Sequence, residues 1–190
     1  MFGEPRGELD DLDKSTSFDV GERPRRSTSS LGLINVNFRT LELKIPPPAV
    51  AVLAAIVMWG ISRATPSWEI PALARIGVAL AIAAIGVAFS VSGIIAFRRA
   101  KTTINPTTPE AASSLVSSGV YRVTRNPMYV GLLLVLVAWA VFLSSGWALP
   151  GPLVFAAYIR RFQITPEERV LSALFGTEYS AYKARVRRWL

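Results

Sequence analysis

Residues 126–159 run for 34 positions without a charged side chain, NPMYVGLLLVLVAWAVFLSSGWALPGPLVFAAYI. At about 1.5 Å per residue, a single helix of that length would reach about 50 Å, against a hydrocarbon core of roughly 30 Å. One crossing cannot hold it. The turn formers gather in SSGWALPGP at 144–152, so the run is expected to fold back there into two helices, the second from about Leu153. Two more apolar runs precede it. Residues 76–97 are 22 uncharged positions between Arg75 and Arg98, and their many Gly, Ala and Ser residues predict close helix–helix contact. Residues 45–62 are uncharged and just long enough to span, with prolines at the start, where a helix tolerates them. The expected fold is all-α. It is a polytopic membrane protein of about four transmembrane helices, with a C-terminal helical hairpin and cytoplasmic amphipathic helices.

Charge orients this arrangement. Residues 1–97 hold nine Lys+Arg against nine Asp+Glu, whereas residues 98–190 hold twelve against four. The net charge of +8 therefore belongs to the second half. Beside such apolar runs it suits a lipid surface rather than nucleic acid. The tail, the 98–125 loop and the C-terminus carry most of the basic residues, while SSGWALPGP carries none and RATPSWEIP (63–71) little. Both termini and the middle loop are thus expected in the cytoplasm, with the chain in the cell (inner) membrane. Trp59, Trp68 and Trp147 then fall near the outer interface. Three regions follow. Residues 1–44 are a polar, largely disordered tail, in which LINVNFRTLEL (33–43) has the character of an interfacial segment. Residues 45–97 are two transmembrane helices, and residues 98–190 form the core. The chain has no cysteine and no histidine. A thiol nucleophile is excluded, the commonest general base is missing, and no metal site is expected.

The chemistry concentrates at GVYRVTRNPMYVG, residues 119–131. Asn126 can cap a helix whose first residue is Pro127. The positive end of that helix, beside Arg122 and Arg125, favours an anion such as a carboxylate or phosphate. Tyr121 and Tyr129 add flat surfaces and hydroxyls. The same residues also suit a plain membrane boundary, and taken alone they leave both options open. Further on, Thr165-Pro166-Glu167-Glu168 has the form of a helix start, with Thr165 as cap and Glu168 closing a capping box. Leu171, Leu174 and Phe175 then share a face, and Gly176 ends that helix. A second amphipathic piece sets Tyr179, Tyr182, Val186 and Trp189 apart from Lys183, Arg185 and Arg187.

LVSSGVYRVTRNPMYVG followed by PEERVLSALFGTEYSAYKARVRRW resembles the isoprenylcysteine carboxyl methyltransferase and phospholipid methyltransferase superfamily. The resemblance covers about residues 98–190. It implies an integral membrane enzyme that uses S-adenosylmethionine and methylates a lipophilic acceptor, an isoprenoid carboxylate or a lipid head group. Partners would be membrane lipids and that acceptor. The implied cofactor contacts are Ser113, Ser114, Leu115, Val116, Tyr121, Arg125, Asn126, Pro127, Met128, Tyr129, Glu167 and Glu168. Of the two glutamates, Glu167 is the expected ligand and Glu168 the cap. Glu167 and Arg161 are the candidate catalytic residues, and Arg161 and Gln163 the candidate acceptor contacts. The chain departs from the eukaryotic carboxyl methyltransferases at Asn126 and Ser113, where they have histidine. It departs again at Gln163, where they have a substrate-binding arginine. Two alternatives accompany this expectation: an NADPH-dependent membrane reductase of the sterol-reductase type, and a non-catalytic lipid-binding protein.

Overall fold

The computed structural model describes residues 42–100 and 113–190. Most of the tail, including most of the segment 33–43, and much of the 98–125 loop lie outside the described residues. Five helices follow in order: α1 Pro47–Ala64, α2 Ala72–Arg99, α3 Pro127–Leu143, α4 Pro150–Ile159 and α5 Thr165–Arg185. A 3₁₀ turn at Gly119–Arg122 precedes α3, a second at Gly146–Ala148 joins α3 to α4, and a π turn at Arg160–Ile164 joins α4 to α5. No strand occurs among the described residues. One isolated parallel bridge links Thr124 to Arg187.

Among the described residues, α1 and α2 are the two helices both long and apolar enough to cross a membrane, at 18 and 28 residues. α3 is apolar throughout but has 17 residues, about 25 Å. The expected hairpin forms at 144–152, and its second helix starts at Pro150 rather than Leu153. The start moves because proline is well accommodated in a first helical turn, where no backbone N–H is required of it.

α2 packs along α3, and α1 lies against α3 and α4. The small residues of α2 do the work predicted for them. A Cβ on Gly86 would sit 2.7 Å from the carbonyl oxygen of Gly131, and one on Gly131 would collide with Ser90 Oγ. The two backbones therefore touch, and only glycine leaves room. Met58, Leu136, Phe155, Ile159 and Ile164 form the main core between α1, α3 and α4. A second cluster of Val116, Tyr121, Tyr179, Tyr182 and Val186 sits at the end where α2 finishes and α3 begins.

Three expectations about the C-terminal segment need correction. No side chain caps α5, because its first turn continues directly from the π turn. Thr165 Oγ1 instead donates to Arg160 O at 2.7 Å, and Glu168 forms ion pairs rather than a capping box. Gly176 does break the helix, with φ 47° and ψ −117°, but as a kink with no linker after it. The helix ends at Arg185 and Val186 is extended. Trp189 then leaves the Tyr179–Tyr182 face and packs against the main core.

Candidate active site

The site is built where α3 and α5 begin. Gly119 turns the chain with φ 61°, a left-handed conformation that glycine adopts without Cβ strain. The 3₁₀ turn that follows buries Tyr121 edge-on against Phe97, ring centroids 5.4 Å apart. Tyr182 OH donates to the Tyr121 carbonyl at 2.8 Å. Asn126 occupies the cap position of α3 and Pro127 the first helical one, as expected. The Asn126 side chain does not cap. Its Nδ2 donates to Arg188 O at 2.8 Å, and its N–H is taken up by Thr124 Oγ1 at 3.2 Å.

One turn into α3, Tyr129 OH donates to Glu167 Oε2 at 3.1 Å. This bond joins the two halves of the sequence motif. Burial pushes the Glu167 carboxyl up to about 7; the hydrogen bond from Tyr129 opposes the rise and the charge of Glu168 adds to it. The residue keeps a partly exposed edge although its carboxyl is enclosed. Burial also raises Tyr121, and Glu167 raises it further. Tyr182 is pushed up to about 12 by burial, against the pull of Arg125. Burial raises Tyr179 as well, and Glu168 adds to the rise while Arg125 opposes it.

Glu168 points elsewhere. It accepts a fork from Arg188, Nε to Oε1 at 3.0 Å and Nη2 to Oε2 at 2.6 Å. Arg125 Nη1 stands 3.3 Å from its Oε1, but off hydrogen-bonding geometry. Arg125 Nε is buried with no hydrogen-bond partner. A buried guanidinium with unmet donors is uncommon and asks for an acceptor.

Tyr121, Arg125, Asn126, Tyr129, Glu167 and Glu168 thus come together. Leu115 and Val116 wall the site with the tyrosine cluster. Met128 and Pro127 pack onto Gly93 of α2. Ser114 Oγ reaches Ala100 O at 3.4 Å, and Ser113 is exposed. Arg161 lies apart on the π turn, half-exposed and paired with Glu42 at 3.0 Å. Gln163 is fully buried, donates to Ile45 O at 2.7 Å and leaves its Oε1 without a partner. Sequence inspection missed Thr124, Arg188 and Glu42. No local pattern marks them, since each acts on a residue more than 60 positions away or, for Arg188, 20.

An all-helical chain with apolar helices long enough to span, and a polar site at one end of them, defines a helical membrane protein with a candidate active site. Comparison with known families makes this specific: the phospholipid methyltransferase family matches over residues 73–178, and the chain belongs to it. It is a membrane methyltransferase by family. That membership favours neither the reductase nor the non-catalytic alternative. An uncharacterised protein of Haemophilus influenzae is 48% identical over 63 residues, which are 33% of this chain and 100% of that protein. No solved structure matches the chain.

Proposed function

We propose that the chain transfers a methyl group from S-adenosylmethionine to a lipophilic acceptor, an isoprenoid carboxylate or a lipid head group, at the cytoplasmic face of the inner membrane. The observation that carries this is the contact between Tyr129 and Glu167, which unites both halves of the motif at one end of the apolar helices. In this reading α1, α2 and α3 cross the bilayer, and the shorter α4 with the π turn after it leads the chain back toward the side where α3 begins. The end bearing Arg98, Arg99, Arg125, Arg160, Arg161 and Arg188 faces the cytoplasm, by the excess of positive charge there.

The residues present fit the cofactor. Arg125, with buried unpartnered Nε, suits a carboxylate. Glu167 suits an ammonium or ribose hydroxyls. Leu115, Val116 and Tyr121 suit the adenine. Ser113, Ser114, Asn126, Pro127, Met128 and Tyr129 complete the wall. Glu168 contributes by holding Arg125. When bound, S-adenosylmethionine supplies a methyl group on a sulfonium, open to in-line displacement.

The protein's task is to align two partners and keep water out. Tyr129 fixes one oxygen of Glu167. The other remains for a cation, or for the proton that an amine acceptor must lose. A carboxyl near 7 is matched to taking that proton at neutral pH. A carboxylate acceptor needs no base. Arg161 is the cation for an acidic acceptor head, which must displace Glu42 to reach it. Gln163 offers its free amide oxygen to an acceptor that donates a hydrogen bond.

Detergent-purified protein is expected to gain thermal stability from S-adenosylhomocysteine and not from NADPH. Lipid extracts incubated with methyl-labelled cofactor are expected to yield a labelled lipid or prenylated small molecule. Stabilisation by NADPH alone, or no label in any lipophilic product, would sink the proposal.

A further inference from the structure

We infer that Arg188 is a positioning residue: it clamps the start of α3 to the start of α5 and so sets Tyr129 against Glu167. The inference rests on the cofactor site proposed above. Both the side chain and the carbonyl of Arg188 take part. Its guanidinium forks onto both oxygens of Glu168, at 3.0 and 2.6 Å. Its carbonyl accepts from Asn126 Nδ2 at 2.8 Å and from Thr124 Oγ1 at 3.2 Å, which uses both of the carbonyl's lone pairs. The residue before it accepts from the Arg125 N–H at 3.0 Å, and the residue after it, Trp189, is packed against the main core.

The clamp closes a gap that no helix spans. Asn126 immediately precedes α3, with Tyr129 one turn on. Glu168 lies in the first turn of α5, directly after Glu167. The direct side-chain link between these two helix starts is the bond from Tyr129 to Glu167, supported by the partial pairing of Arg125 with Glu168. The partners of Arg188 are mostly shielded: Thr124 is fully buried, and the Glu168 side chain is 15% exposed. A forked guanidinium–carboxylate pair fixes direction as well as distance, which a lysine ammonium does not.

The clamp also controls charge. Tyr129 from α3, Tyr121 from the turn before it, and Glu168 and Tyr179 from α5 all interact with Glu167. Arg125 and Arg188 are the cations that face Glu168. Without Arg188, one of the two charges neutralising Glu168 is gone. The proton on Glu167 is then held more tightly, and a cation competes for that carboxylate only at higher pH.

The test is S-adenosylhomocysteine binding to the full-length protein in detergent, measured across pH for wild type, Arg188→Ala and Arg188→Lys. Arg188→Ala is expected to weaken binding about tenfold, typical of groups that orient a ligand-binding side chain, and to move the pH midpoint upward. Arg188→Lys restores the charge but not the fork. Its midpoint is expected to return toward wild type while its affinity on the high-pH plateau stays low. A general loss of folding would not separate these two readouts. If Arg188→Ala cannot be recovered in folded form, Arg188→Lys carries the test by its lowered plateau. Wild-type affinity in either folded variant, or an unmoved midpoint in Arg188→Ala, overturns the clamp. Absence of binding in wild type overturns the cofactor site itself.

Discussion

At the end of the helices where α1 meets α2 and α3 meets α4, polar groups find one another. The Trp68 backbone N–H donates to Ser144 O at 2.7 Å, Ser144 Oγ donates back to Trp68 O at 3.2 Å, and the Thr65 and Ser145 hydroxyls are hydrogen-bonded at 2.9 Å. Gly146 lets the Trp68 ring close over the turn. Even Arg75, with an unpartnered Nε, lies over the Phe142 ring at 5.6 Å. At the opposite end, arginines, glutamates and tyrosines crowd together, and Arg125 and Gln163 keep buried polar atoms unmet. One end is a closed joint. The other carries more unmet polar capacity, and buried groups of that kind call for an explanation such as a bound ligand.

That contrast breaks most sharply at the two adjacent glutamates. Glu167→Ala is expected to weaken S-adenosylhomocysteine binding by about 10- to 100-fold, the worth of charge-assisted hydrogen bonds, with little loss of thermal stability. Glu168→Ala leaves Arg125 and Arg188 without their carboxylate. It should cost about 2 kcal/mol of stability by denaturant titration and weaken binding less than Glu167→Ala does. Equal loss of binding would erase the distinction between ligand and scaffold.

The pH dependence sharpens it further. The Glu167 carboxyl in the empty protein lies near 7, so accepting a cation there releases a proton. Affinity should rise about tenfold per pH unit toward pH 7 and level off above it. Tyr129→Phe removes a hydrogen bond that favours the carboxylate, and so should shift that midpoint upward. The stability of the empty protein runs the other way. The contribution of Glu167 is fully present below its ordinary value of 4.5 and is lost as pH rises through about 7.

The smallest effect is expected at the closed joint. A Cβ on Gly146 would sit 2.9 Å from the Trp68 ring, so Gly146→Ala should cost about 1 kcal/mol of stability in a thermal melt. Cofactor affinity should stay within about twofold of wild type, since the two ends are independent. A larger change in affinity would show that the ends are coupled.

Much of the fold was legible because hydrophobic length is a one-dimensional property. The uncharged 126–159 run had to fold back, and 144–152 was where it could. The close approach at Gly86 followed from the composition of 76–97, since small residues mark close backbones, but its partner Gly131 on α3 did not. The site was legible only in part. Asn126-Pro127 marked the start of α3 correctly, but the Asn126 side chain turned outward to Arg188. A capping box was expected of Glu168 because Thr-Pro-Glu-Glu is a valid local signal. A π turn immediately before it keeps the backbone helical across that point, so no free end needed a cap.

The sequence by itself determined where the chain is apolar, where it turns, where its positive charge gathers and which family it resembles, because each of these is a local or additive property of the residues. Only the tertiary structure decided which partners Glu167 and Glu168 take. The two are adjacent in the chain and alike in type, and their side chains diverge because α5 leaves the π turn with one facing Tyr129 and the other facing Arg188. That choice depends on a strap from the far end of the chain, and no local spacing encodes it.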